Sequence, residues 1–423
     1  MPISNPPTES VRIRRRDFTA MLATQASGGD PLAGGRLFRH VRDYAAFGEH
    51  RTATPADHRT AAWLERVLRG AGCSADRRPF ELQQCFVEAT ELKAGPAPVK
   101  AFPVWWPRVT GARPIRARLA VTSPIKGCIA VVPMPDAPGA LIVPDSAIRK
   151  LVASLVNAGA LAIVAVCQSP TGGILALNAE AGLEPWPIPF VMIGKKDEAA
   201  LRDGEMASLL VKGAYNQRAR AYEVIGRLNR GKRLIVVSTP YSGWFECAGE
   251  RGPGIALWIG LAEWAARRKS DASYLFVASS GHELNGIGLH TFLEKIAPKP
   301  AEVAAWLHLG AGIATYAARP RAGGIGIEMR KTASTLRRLY STAEFAPALE
   351  KAFAAIPDLK PVVADRPPGE LALIRAKGYP AFGFAGGSAF HHVPGDLANA
   401  ITGPELIEPV GRALAGLLAE LGG

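Results

Sequence analysis

From Leu234 onward the chain alternates short, largely apolar runs with segments of helical period. Leu234-Ile-Val-Val-Ser238, Tyr274-Leu-Phe-Val-Ala-Ser279 and Ala304-Ala-Trp-Leu-His-Leu309 are strand-length runs with no polar face. Between them, Pro253 to Arg267 and Ile287 to Lys295 carry helical periodicity. A strand apolar on both faces must be covered on both faces, and a helix is the usual crossover between parallel strands. The pattern therefore predicts an α/β fold: a mainly parallel mixed sheet flanked by helices. A further strand is expected within Gly324 to Met329, helices within Thr335 to Ile356, a strand at Pro380-Ala-Phe-Gly-Phe384 and a terminal helix over Pro404 to Leu421.

The rest of the chain divides around this core. A length of 423 residues exceeds one ordinary core. Residues 1–35 are rich in Pro, Ser, Arg and Gly and read as a basic, disordered tail or a degenerate export signal. Arg14-Arg15-Arg16-Asp17-Phe18 resembles a twin-arginine core, but the apolar stretch after it ends at Gln25. The chain is thus expected to be cytoplasmic, or exported if that segment works. Residues 36–95 and 217–423 are assigned to the α/β domain and 96–216 to a β-rich insertion. Thr54-Pro55 is a helix start, since threonine caps and proline fits the first helical position. In the insertion, Gly127 to Val132 and Leu161 to Cys167 read as strands around a helix over Ala147 to Asn157.

Charge narrows the function classes. The net charge is +13, yet Lys and Arg are scattered and no basic–aromatic run or zinc-finger spacing appears, so nucleic acid is not expected as a partner. No run is long enough to span a bilayer. Five cysteines in a chain this long make no disulfide framework.

Acid–base residues collect at strand ends. Ser280-Gly-His-Glu-Leu284 places His282 and Glu283 where an apolar run stops, Glu250 precedes a helix, His308 closes a strand, and His391-His392-Val-Pro-Gly-Asp396 follows another. In an open parallel sheet such ends converge on one edge, where ligands bind. Carboxylates and imidazoles gathered there are metal-ligand and proton-transfer chemistry.

These segments resemble the zinc exopeptidases that include bacterial leucyl aminopeptidase, glutamate carboxypeptidase II, the transferrin receptor and glutaminyl cyclase. The likeness runs through Phe47-Gly-Glu-His-Arg51, Ala61-Ala-Trp-Leu64, Ser279 to Gly288, Gly378-Tyr-Pro-Ala-Phe-Gly383 and His392-Val-Pro-Gly-Asp396. The insertion resembles a protease-associated domain at Asn157-Ala-Gly-Ala-Leu-Ala-Ile163 and Ile188-Pro-Phe-Val-Met-Ile193. Carried over residue by residue, the resemblance finds Pro240 and Gly310 at two ligand positions and His282 where the catalytic glutamate belongs. It implies Glu250, Glu283 and His392 as ligands of one divalent metal ion, zinc in this family, with His391 as the alternative to His392. It further implies His282 as the base, His308 as an assisting ligand or oxyanion donor, and Glu370 near the substrate.

The function so implied is a metal-dependent hydrolase with a remodelled, mononuclear site acting on an amide or peptide-like bond of a small molecule or short peptide. Two alternatives stand beside it: an inactive homologue serving as a binding module, and a single-metal cyclase or acyl-transfer enzyme. Self-association is left open.

Overall fold

The computed structural model describes residues 29–423 apart from residue 323. The twin-arginine-like segment lies outside the described residues. Two helices open the described residues, α1 (Gly34–Ala45) and α2 (Pro55–Gly70). α2 begins as its sequence predicts: the Thr54 hydroxyl accepts the Asp57 N–H at 3.3 Å and Pro55 takes the first turn.

Ten strands carry the architecture: β1 (Ser74–Ala94), β2 (Ile115–Ala120), β3 (Ile129–Pro133), β4 (Ala162–Cys167), β5 (Phe190–Gly194), β6 (Met206–Leu228), β7 (Arg233–Pro240), β8 (Ala272–Ser279), β9 (Val303–Leu309) and β10 (Ala381–Phe384). With shorter strands at its rims they form one 14-stranded sheet. The expected parallel core is present: β7 pairs in parallel with β8 and β9, and β9 with β10. Their registers, Pro240 opposite Ser279 and Ser238 opposite His308, bring the C-terminal ends to one edge.

β6 was not expected. It pairs antiparallel with β8, β2 and the whole length of β1. It thereby links the parallel core to the strands of the insertion in a single sheet. Within Thr335 to Ile356, Leu339–Ser341 is a short strand bonded to β10, and the expected helix is Ala346–Ala352. Sheet closure against β10 outweighs local preference there. The expected Gly324–Met329 strand starts at Ile327 and belongs to a separate hairpin with Tyr316–Pro320.

The helix α3 (Gly252–Arg267) is apolar and buried on every side from Gly252 to Ala262. Glycine lets it approach α1: a Cβ at Gly252 would lie 2.7 Å from Val41 Cγ1, and one at Gly260 would lie 2.7 Å from Leu37 Cδ2. A second apolar cluster joins Phe80, Leu82, Trp244 and Leu284 of the main body to Trp105, Trp186 and Phe190 of the insertion. Residues 31–423 form one compact unit. None of the described helices is long and apolar enough to cross a membrane.

Candidate functional site

The sheet edge gathers the residues singled out by the sequence. After β8 the chain turns through Gly281 (φ 92°), Asn285 (φ 58°) and Gly286 (φ 69°), all left-handed, which is why glycine recurs there. This turn aims His282 and Glu283 in different directions. His282 Nδ1 meets Glu370 Oε1 at 2.9 Å, and its side chain keeps 18 % exposure against 2 % for Glu370. Glu370 opens the helix Glu370–Ala376. Its second oxygen lies 3.9 Å from His308 Nε2. His308 is fixed from behind: its Nδ1 meets Ser238 Oγ at 2.9 Å, and Ser238 Oγ accepts the Trp306 indole N–H at 2.7 Å. Burial lowers His308 to about 4, with Glu370 opposing, so its ring is neutral at physiological pH. Burial works to raise Glu370, but the His282 hydrogen bond first, with electrostatic contributions from the nearby His282, His308 and Arg251, holds it below the usual carboxylate range.

Glu283 is fully buried and fully engaged. Oε1 accepts the Thr52 N–H at 2.5 Å and Oε2 accepts the Ser242 hydroxyl at 2.8 Å. Ser242 Oγ in turn accepts the N–H groups of Gly281 and His282 at 2.7 and 3.1 Å. Glu283 thus ties the loops after α1, β7 and β8 together.

Glu250 has a different partner. Its Oε1 lies 2.6 Å from Arg251 Nη2, and both side chains are 1 % exposed. Arg251 Nε donates to Ser242 O at 3.2 Å. Asp396 anchors the segment from below, accepting the N–H groups of Gly249 and Glu250 at 2.7 and 2.9 Å. His392 Nε2 reaches Glu250 Oε1 at 3.4 Å, while its Nδ1 meets Ala176 O of the insertion at 3.1 Å. His391 stacks beside His392 with centroids 6.0 Å apart, and burial lowers it to about 4. Burial tends to raise Glu250, but Arg251, His392 and His391 hold it well below the usual range.

The expected metal ligands are therefore not gathered into a metal site. Among the described residues no group of three or more His, Cys, Asp or Glu side chains is arranged to hold a metal ion. Glu283 spends both oxygens on protein donors, and a guanidinium already neutralises Glu250. Glu250 Oε2, Glu370 Oε2 and His391 Nε2, however, are buried without a hydrogen-bond partner among the described residues. A carboxylate beside an imidazole does not by itself say whether its cation is a metal or an arginine. The missed residue, Arg251, follows Glu250 directly in Cys247-Ala-Gly-Glu-Arg-Gly-Pro253. Ser238, Ser242 and Thr52, also missed, are ordinary residues until the fold brings them in.

No family model and no curated protein sequence matches this chain. Solved structures do. The zinc aminopeptidase of Bacillus subtilis aligns with a TM-score of 0.73 over 93 % of this chain and 96 % of its own, at 16 % identity. A peptidase M28 precursor from Shewanella amazonensis aligns with a TM-score of 0.69 over 96 % of each chain, at 14 % identity. The chain has the zinc-aminopeptidase fold. An aminopeptidase from Aneurinibacillus gives the same picture, with a TM-score of 0.63, 14 % identity and coverage of 93 % of this chain and 96 % of its own. At these identities the likeness carries the fold, and the chemistry rests on the site itself.

A buried carboxylate beside the site supplies a pH test. Glu223 is 1 % exposed and neither oxygen has a hydrogen-bond partner among the described residues. Burial first, then Glu370 and Asp57, raise its pKa well above the carboxylate range. The native protein then keeps a proton that the unfolded chain releases above about pH 4.3, so stability falls as pH rises from there toward the folded pKa. Glu223→Gln is expected to gain stability over the parent as pH rises from about 5 to about 8, by up to about 1.4 kcal/mol per unit. Urea denaturation at both ends of that range measures it, and an equal offset at both would contradict the assignment.

Proposed function

We propose that the protein is a binding module for a small peptide-like or amide ligand, built on a peptidase fold whose metal position is taken by an internal ion pair. The observation that carries this reading is the Glu250–Arg251 contact at 2.6 Å with both side chains 1 % exposed. A desolvated guanidinium and a divalent cation compete for the same carboxylate, and the guanidinium is covalently present. The engagement of Glu283 by Thr52 and Ser242 supports the same reading.

A second reading, hydrolysis with His282 as the general base, is favoured by the 2.9 Å bond to Glu370 and the partial exposure of the His282 ring. His282 would take a proton from water attacking a carbonyl carbon, and Glu370 would stabilise the resulting imidazolium. One experiment separates the readings. Untagged protein is analysed for zinc and then assayed on aminoacyl-p-nitroanilides and a glutaminyl peptide, with and without EDTA. Binding-module function predicts substoichiometric zinc and no turnover, with mass spectrometry finding neither hydrolysis nor cyclisation. One zinc per chain that is lost in Glu250→Ala would restore the mononuclear metalloenzyme. EDTA-insensitive turnover abolished by His282→Ala would establish the second reading.

A further inference from the structure

We propose that a cavity of about 290 Å³ beside the His391–His392 loop binds a small ligand that joins a carboxylate to an N–H donor on an apolar body, of the N-acyl amino acid or short-peptide class. This rests on the binding-module reading and names its ligand. The cavity lies between the insertion and the main body. Its charged lining is Lys100, Lys196 and Asp197, and its apolar lining includes Ile174, Phe390 and Val393.

Three observations point to a ligand. First, the charges in the cavity do not satisfy one another. Neither lysine has an ion pair or a side-chain hydrogen bond among the described residues, and Asp197 Oδ2 is buried with no partner. Two cations and one carboxylate held apart suit a ligand that offers an anion and an N–H together, with net attraction for the anion. Second, the apolar lining is the complement of an aliphatic or aromatic side chain rather than of a bare inorganic anion. Third, the cavity is preformed. Lys196 N–H donates to Gly172 O at 3.0 Å, and Ala176 N–H donates to His392 O at 2.9 Å. A Cβ on Gly172 would fall 2.0 Å from Ile325 Cγ2, so the tip of the Tyr316–Ala333 hairpin seats on the same loop. The volume admits one or two residues and no folded partner.

The test is isothermal titration of the full chain with N-acetyl-L-leucine, its neutral amide and inorganic phosphate, before and after EDTA. The acid is expected to bind, with the amide and phosphate each roughly tenfold weaker, the effect of one charge-assisted hydrogen bond. Lys100→Ala and Lys196→Ala should each weaken the acid about tenfold, the arginine variants should recover most of it, and Asp197→Asn should weaken acid and amide alike. Both lysines are exposed, so these variants keep the fold. No measurable binding of the acid, or binding unchanged in both lysine variants, overturns the proposal. Binding that is EDTA-insensitive yet lysine-independent sinks this cavity alone and leaves the binding-module reading standing. Binding that is lysine-dependent but lost with EDTA keeps the cavity and sinks the metal-free reading.

Discussion

Arg251→Ala is expected to cost about 3–5 kcal/mol, because it leaves the Glu250 carboxylate buried and unpaired. The pair sits at 2.6 Å with 1 % exposure on each side. The sign of the pH dependence follows. In the parent, Glu250 is held well below the usual range, so its contribution is complete above the unfolded carboxyl pKa and is lost only as pH falls through the folded one. Without Arg251, the burial that opposes it prevails and the carboxyl pKa rises. The variant's deficit should therefore be largest near neutral pH and shrink in acid. Urea denaturation near pH 7 and near pH 5 reads both effects. The double variant Glu250→Leu with Arg251→Met should recover most of the loss, since apolar isosteres often replace a buried pair at no cost. A loss below about 1 kcal/mol in the single variant would mean that the pair behaves as a surface one.

Gly310→Asp is expected to fail to restore a metal ligand and to destabilise the fold by more than about 3 kcal/mol. A Cβ at Gly310 would lie 2.2 Å from the Phe384 carbonyl oxygen and 3.3 Å from His308 Nε2. The obstructing atom is backbone at the end of β10, hydrogen-bonded in parallel with β9, so it cannot move aside cheaply. Gly310→Ala isolates the steric part, about 1–3 kcal/mol. Pro240→His combined with Gly310→Asp is expected to gain no bound zinc. Thermal melts and elemental analysis check both. A folded double variant that binds two zinc ions would show that the scaffold keeps a latent metal centre and would undercut the binding-module reading.

The two predictions bear on one point: the sequence change at Gly310 is locked in by packing, and the charge at Glu250 is answered by Arg251. The resemblance to zinc exopeptidases and the structure agree on the fold. In the structure His282 meets Glu370, His308 lies 3.9 Å from Glu370, and His392 reaches Glu250. What the resemblance implied about their partners was a separate matter. Glu283, expected as a ligand, accepts the Thr52 N–H and the Ser242 hydroxyl. His282 looked out of place, and it has a defined partner in Glu370.

The same division holds for the fold. Apolar runs and helical periods are local, short-range signals, so β7, β8, β9 and the helices between them could be read directly from the chain. The Ala147–Asn157 and Ile287–Lys295 helices appear with the boundaries read from sequence. β6 could not be read this way. Its middle, Tyr215-Asn-Gln-Arg-Ala-Arg220, is polar and resembles a linker, and it becomes a strand only because Ser74–Ala94 pairs along it. By itself the sequence determined which segments are buried on both faces and which acid–base residues reach their ends. That follows from hydrophobic period and strand polarity alone. Only the tertiary structure decided who neutralises whom. A carboxylate's partner is set by distances of a few ångströms between residues far apart in the chain. At this site those distances give Glu250 to a guanidinium, Glu283 to a backbone N–H and a hydroxyl, and Glu370 to the His282 imidazole.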